Sequence, residues 1–237
     1  MAAKIPRKSA EEAGNGRRLS DVAYTRILEM LFDRKLPAGS FVSQNDLVGM
    51  SGIPLAPLRD ALRVLEAEGV VRIHPRTGIQ FVKPGPELTR SAYQFRSMIE
   101  GTAVAVFVET ASDAAIDDLI AQHRRVVAMA ERDGMTEKVR EETERLELLF
   151  HNSLVASLQN PLVDTSHKRI HNYLRIVRLD RRTTVPVALR TLNEHLAVLE
   201  ACRRRDAAVA SATLQAHLNA ALQRNLGLYY AGLNAAG

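Results

Sequence analysis

Glu147, His151, His195 and His217 are the residues whose types and spacing could do chemistry. Glu147 and His151 lie four apart in Glu147-Leu148-Leu149-Phe150-His151, so on a helix both point the same way. His195 and His217 flank Arg203-Arg204-Arg205-Asp206, which reads as a tight turn between two amphipathic helices. Each lies eleven residues from Asp206, and equidistant positions of an antiparallel helix hairpin sit at one height. One carboxylate and three imidazoles can therefore converge inside a bundle as ligands for a divalent metal ion. Mixed N/O ligation suits Zn²⁺, Mn²⁺, Ni²⁺ and Fe²⁺ alike. A lone histidine in a bundle is more often a hydrogen-bonded core residue, but four ligand-type residues at matching heights favour a metal. His123, His167 and His171 show no such pairing with the set. His167 and His171, themselves four apart, read as a solvated face. An open position on such a metal could activate water. No separate general base, lid or substrate determinant accompanies it, so a metal-dependent enzyme is the alternative reading, beside a purely structural metal.

The elements that must position these residues are helices. Helical periodicity predicts six, at about 87–110, 112–133, 136–158, 161–179, 185–204 and 207–230, with breaks at Asn160-Pro161, 180–184 and Arg205-Asp206. Ser112 caps the second, with Asp113, Asp117 and Asp118 near its positive end. Residues 203–205 complement the negative end of the fifth, and Cys202 is a packing residue. Pro84-Gly85-Pro86 is a stiff break and the domain boundary.

Upstream, Ser20 caps a helix to about Leu36 carrying Val22, Ile27, Leu28, Leu31 and Phe32 as its apolar stripe. Ser43 and Asp46 open a short second helix with capping-box spacing. Pro57 lies in the first turn of a third, which ends at Gly69. Residues 70–74 and 79–82 alternate around Pro75-Arg76-Thr77-Gly78 as a β-hairpin with a basic tip. Three short helices and a hairpin outline a winged helix-turn-helix, whose third helix enters the major groove. The expected fold is thus mainly α: an N-terminal winged helix-turn-helix at 19–83, a linker at 84–86 and an all-α six-helix bundle at 87–230. Disordered tails are expected at 1–18 and 231–237.

The 237 residues allow two modest domains. Aromatic residues are only 5% and Trp is absent, so the core must be built from Leu, Val, Ile and Ala. One cysteine excludes an internal disulfide and a thiolate zinc cluster, and fits a reducing compartment. No apolar run approaches the roughly 20 residues that span a bilayer, and the polar start carries no signal-peptide core, so a cytoplasmic location without membrane contact is expected. The net charge of +5 is uneven: residues 1–84 hold 13 Lys/Arg against 9 Asp/Glu, the rest 19 against 18. That places the basic excess where phosphate backbone would be met.

Pro37-Ala38-Gly39, Asp46-Leu47, Pro57-Leu58-Arg59-Asp60-Ala61-Leu62, Leu65-Glu66-Ala67-Glu68-Gly69-Val70-Val71 and the Gly78 wing resemble the DNA-binding domain of GntR-type bacterial regulators. The resemblance departs at Pro54-Leu55-Ala56, where the family usually has Ser/Thr-Arg, so a capping hydroxyl and one contacting Arg are missing. The six helices that follow resemble the FCD ligand-binding domain of the FadR subfamily. Arg96-x3-Glu100, Glu147-x3-His151, Asn160, Glu194-His195 and His217-Leu218 carry that likeness, with Glu147 standing where Asp is usual.

The resemblance implies a homodimeric, ligand-responsive transcription regulator, a repressor rather than an enzyme, reading a pseudo-palindromic double-stranded DNA operator. Asn45, Pro57, Arg59, Arg63, Arg72, Arg76, Thr77 and Gly78 are its expected DNA-binding residues, Arg59 foremost, with Arg72, Arg76 and Lys83 on phosphate. In the bundle it implies a divalent metal on Glu147, His151, His195 and His217, anchoring a small organic-acid or sugar-acid effector. Arg96, Glu100 and Arg175 are the expected effector-binding residues, Arg96 through its guanidinium fork. The plainer reading of Arg96 is an ion pair with Glu100 on one helix face. Arg175 and Arg178 are weaker candidates, because a helix so rich in Arg is usually wet on one side.

Overall fold

The computed structural model describes residues 18–36, 39–82, 85–179 and 183–234, with side chains as far as residue 227. Of the tails expected at 1–18 and 231–237, residues 1–17 and 235–237 lie outside the described residues, as do Pro37-Ala38, Lys83, Pro84 and the break at 180–182, whereas residues 231–234 are helical. The chain divides into two compact units, 1–83 and 84–237.

The first unit runs α1 (Leu19–Phe32), β1 (Phe41–Val42), α2 (Gln44–Ser51), α3 (Leu55–Ala67), β2 (Val71–His74) and β3 (Gly78–Phe81). Its α1 starts one residue before the expected Ser20 cap, after Arg18, which makes no side-chain cap bond. Ala23, Ile27, Leu28, Met30 and Leu31 are the buried stripe, and Val22 is exposed. Ser43 and Asp46 close the capping box on α2: Ser43 Oγ accepts from the Asp46 amide and Asp46 accepts from the Ser43 amide. Gly52, at φ +69°, ends that helix in the left-handed conformation glycine tolerates. The hairpin pairs Ile73 with Ile79, and β1 joins β3 on its other edge to give three antiparallel strands in the order β1-β3-β2. Two residues are too short for β1 to show any alternation in sequence. Leu47, Leu58, Leu62, Leu65, Ile79 and Phe81 form this unit's core, each fully buried.

The second unit is six helices: α4 (Pro86–Thr110), α5 (Asp113–Asp133), α6 (Glu137–Ala156), α7 (Pro161–Arg178), α8 (Val185–Arg203) and α9 (Ala207–Asn234). The fold is therefore mainly α, a winged helix-turn-helix followed by a helical bundle, as the periodicity predicts. Side-chain caps begin four of the six: Ser112 on α5, Thr136 on α6, Asn160 on α7 and Asp206 on α9. The chain reverses between α8 and α9 through Arg205, at φ +59°. Residues 203 and 205 do more there than complement a helix end. Arg203 bonds Asp117 at 2.8 Å, and Arg205 bonds the Val108 carbonyl and Asp113, tying the turn to α4 and α5.

The helices α4 and α9, α5 and α8, and α8 and α9 make the most extensive packings. A large apolar cluster, including Val104, Ile116, Phe150, Leu199 and Leu214, fills one part of the bundle, and a smaller one of Tyr93, Tyr173, Leu174 and Ala221 another. Each buried Val, Ile, Leu or Phe side chain among them contributes roughly 1.5–3 kcal/mol by leaving water. No helix among the described residues is long and apolar enough to cross a membrane.

Candidate metal centre and nucleic-acid interface

The bundle brings His151 of α6, His195 of α8 and His217 of α9 together, all buried, with one ring nitrogen of each within 4.8 Å of the others. The hairpin does what equal height requires: the His195 and His217 ring centroids are 4.7 Å apart. Phe150 stabilises the cluster, stacking on His195 at 4.1 Å and meeting His151 edge-on at 4.8 Å. Glu147 lies beside them, Oε2 3.5 Å from His195 Nε2 and Oε1 3.7 Å from His151 Nε2.

Hydrogen bonds fix which nitrogen of each imidazole carries the proton. His151 Nδ1–H donates to Glu100 Oε2 at 2.7 Å, and His217 Nδ1–H to Glu194 Oε2 at 2.7 Å. His195 is set through a relay. His123 Nδ1–H donates to its own α5 backbone at the Leu119 carbonyl, 2.7 Å away, which leaves His123 Nε2 as an acceptor for His195 Nδ1–H at 3.3 Å. Every Nε2 of the triad is thereby left with a bare lone pair, and all three are buried without a hydrogen-bond partner. Three converging lone pairs, each imidazole braced from behind, are the donor set a divalent cation requires. The residues fit a metal.

Electrostatics keep the donors in their ligating form. Burial, then Arg96, pulls His151 down to about 4, and burial also holds His195 and His123 below the ordinary histidine value. Burial opposes the charge of Glu100 and Glu147, but Arg96 beside the first and Arg178 beside the second outweigh it and hold both carboxyls well below their usual range. Glu194 is held at about 2: burial opposes its charge, but the hydrogen bonds of His217 and Arg224 prevail. Arg224 grips Glu194 with two bonds of 2.7 Å.

Several of these roles differ from the sequence reading. Glu100, expected on the effector, has both oxygens engaged by protein: Oε1 by Arg96 Nε at 2.6 Å and His167 Nε2 at 2.9 Å, Oε2 by His151. Arg96 is the buried ion-pair partner of Glu100, and its Nη1 and Nη2 remain without hydrogen-bond partners, over the face of Tyr93. His123 joins the set through His195. His167 and His171 are buried rather than solvated, and the His171 ring lies 6.0 Å from that of His151.

Arg175 is half-buried, and burial lowers its pKa, with the charge of Glu144 opposing that shift. Arg178, ranked with it as weak, is the one that bonds Glu147, at 2.6 Å. The signal for His123 was present in sequence: it continues the stripe Ile116, Leu119, Ile120, Val126 that α5 buries. Arg178, Glu194 and Arg224 carry no spacing signal toward the triad.

In the first unit, α3 exposes Arg59 and Arg63. Arg59 Nε donates to Gln44 of α2 at 2.8 Å, which leaves its terminal nitrogens forward of that bond, and Arg63 lies 3.8 Å from Asp60. An exposed pair that long adds little stability. Pro57 lies in the first turn of α3, which Pro54 begins without a side-chain cap. Asn45 is exposed on α2, Arg72 on β2, and Arg76 and Thr77 at the hairpin tip. Arg76 takes φ +66° and Gly78 φ +126°; a Cβ on Gly78 would stand 2.9 Å from the Val42 carbonyl oxygen. The wing is docked on α3 by Glu66, which accepts from the Ile73 amide at 2.7 Å.

A three-helix winged unit and a helical bundle closed around braced histidines are carried on one chain. Residues 19–81 match the gntR family of bacterial regulatory proteins and residues 91–220 match the FCD domain, so the chain belongs to the GntR family and carries an FCD domain. It is similar to the uncharacterized HTH-type transcriptional regulator YdhC of Bacillus subtilis strain 168, 23% identical over 73% of this chain and 75% of that one. The gluconate operon transcriptional repressor of Bacillus licheniformis is 24% identical over 67% of this chain and 61% of its own length. Among solved structures the fold resembles McbR/YncC of E. coli, with a TM-score of 0.75 at 14% identity over 90% of this chain and 99% of that one. The protein is a transcription regulator; its family and these relatives are not enzymes.

Proposed function

We propose that this regulator is a cytoplasmic homodimer that represses transcription from a pseudo-palindromic operator and releases it when a small carboxylate metabolite binds beside a metal in the FCD domain. The observation that carries this reading is the convergence of three buried Nε2 lone pairs, each on an imidazole held from behind. His151, His195 and His217 would hold the metal, with Glu147 as a fourth ligand where Arg178 releases it. A bound divalent ion supplies Lewis acidity and an open position for an oxygen ligand. Around it, this chain's groups bind and orient: Glu100, Glu194 and His123 aim the imidazoles, and Arg96 presents two unpaired nitrogens.

The exposed Arg59 and Arg63 on α3 would enter the major groove, with Asn45 and Pro57 near the backbone and Arg72, Arg76, Thr77 and Gly78 along the flanking phosphates. Two-fold symmetry of the dimer would be mirrored in the operator. The effector changes DNA affinity only through its unequal affinity for the DNA-competent and incompetent states. The kinship to a gluconate operon repressor supports repression and an acid effector.

The test is fluorescence anisotropy with the duplex upstream of the protein's own gene, at stated salt. Saturable binding is expected, weakened at least about tenfold by Arg59→Ala and relieved by one member of a panel of organic and sugar acids only while metal is bound. Unchanged binding by Arg59→Ala would remove the recognition-helix assignment. Relief that survives chelation would remove the metal from sensing.

A further inference from the structure

Glu147 faces two atoms that repel it. Its Oε2 lies 3.5 Å from His195 Nε2 and its Oε1 3.7 Å from His151 Nε2. Both imidazoles carry their proton on Nδ1, donated to His123 and to Glu100, so both Nε2 atoms present lone pairs. Acceptor meets acceptor there, away from water and with no proton between them. Such an arrangement persists only with a positive charge close by. Arg178 supplies it: from the last residue of α7, its Nη1 donates to Glu147 Oε1 at 2.6 Å. Burial opposes the charge of Glu147, and Arg178 is foremost among the groups that keep the carboxyl ionised.

The carboxylate is nonetheless placed for a different cation. Ligands about 2.0–2.1 Å from a tetrahedral ion stand roughly 3.4 Å from one another, and Glu147 Oε2 is already at 3.5 Å from His195 Nε2. Arg178 therefore holds a group whose position suits the ion of the triad. Its grip is also one that can open. A single Nη makes the bond, and the Arg178 side chain is 22% exposed where that of Arg96 is 0% exposed. Arg178 Nε donates to the Leu174 carbonyl at 3.2 Å, at the negative end of α7, where a cation is favoured. A guanidinium turned away from Glu147 keeps both that carbonyl and solvent within reach.

We infer that Arg178 sets the affinity of the metal centre: it holds Glu147 in a competing ion pair, so the chain binds its ion more weakly than its donor set allows. The inference rests on the metal reading above and adds a positioning residue that acts on the ion through Glu147. The carboxylate becomes a full ligand only as the pair with Arg178 opens. A tempered affinity leaves the ion exchangeable, and so able to carry a signal, where a fully ligated ion would be a fixed staple.

The test is competition for Zn²⁺ between a fluorescent chelator and the full chain stripped of metal, with circular dichroism confirming the fold of each variant. Arg178→Met is expected to bind zinc about tenfold or more tighter than wild type, the scale of one charge-assisted bond. Damage to a scaffold weakens a metal site, so a gain separates this role from a merely structural one. Arg178→Gln, a second neutral replacement, should show the same gain should Arg178→Met not fold. Arg178→Lys keeps the charge and should restore affinity toward that of wild type. The gain must also depend on the carboxylate: in a Glu147→Gln background, Arg178→Met should change affinity by no more than about threefold. Zinc binding equal to or weaker than wild type in the folded neutral variants overturns the inference and leaves the metal reading standing. So does a tenfold gain that persists beside Glu147→Gln. No zinc binding by wild type and Arg178→Met alike overturns the metal reading, and this inference with it.

Discussion

The proton on each imidazole is the smallest unit on which the account depends. His195 ligates through Nε2 only if Nδ1 keeps its hydrogen, and that is decided by His123 and, behind it, by the Leu119 carbonyl. Partners of this kind orient a ligand without touching the metal, and their loss typically costs about 10–100-fold in metal affinity. Glu194→Ala should therefore weaken zinc binding by that order, read by competition with a fluorescent chelator, while far-ultraviolet circular dichroism stays unchanged. An affinity equal to wild type would mean that His217 needs no support from Glu194.

At the same scale, Cys202 is fully buried and burial pushes its thiol up to about 11. It should resist Ellman's reagent at pH 8 in the folded protein and react at once in denaturant; prompt reaction in the native state would contradict its burial. The four ligand-type residues were legible in sequence because their spacing repeats the geometry of a helix and a hairpin. Arg178 and Arg224 were not, because an arginine on a helix looks the same whether it meets water or a glutamate from another element.

Among the elements, the helices were largely readable and the strands less so. Periodicity reports which face a helix buries, and the caps Ser43, Ser112 and Asn160 mark where three helices begin. The first cap failed because α1 begins at Leu19 without using Ser20. The edge strand β1 escaped notice because two residues pair with β3 through backbone alone. His167 and His171 were misjudged for a related reason: α7 buries a polar stripe, and sequence cannot distinguish a polar stripe facing water from one facing other polar groups.

The wing offers a sharp test of element geometry. Gly78 at φ +126° approaches the Val42 carbonyl so closely that Gly78→Ala adds both backbone strain and a clash. A loss of about 1–3 kcal/mol is expected, read as a lower thermal midpoint of the DNA-binding unit and weaker operator binding. A variant as stable as wild type would mean that the hairpin does not hold this conformation.

Across the second unit, the buried histidines His123, His151, His171 and His195 and the buried carboxylates Glu100 and Glu147, all with lowered pKa, share one sign of pH dependence. His151 sits at about 4 in the folded state against 6.5 for an ordinary histidine, so acidification protonates the unfolded chain first. Glu100 and Glu147, with carboxyls held low, lose their stabilising contribution as pH falls toward their folded values. Each contribution is present at neutral pH and lost on the acid side, beginning below about 6.5 for the histidines. With chelator present, the melting temperature of the bundle should fall as the pH drops from about 6.5 to pH 5. A flat profile would place these histidines in water.

The division of labour in the molecule, a basic head and a bundle closed on histidines, reduces to one chemical claim: His151, His195 and His217 hold a divalent ion. Metal analysis of the full chain purified without chelator tests it most directly. About one divalent ion per chain is expected in the wild type and near-empty sites in His195→Ala and His217→Ala, with circular dichroism reporting folded protein in each. Full occupancy in both folded variants would contradict it.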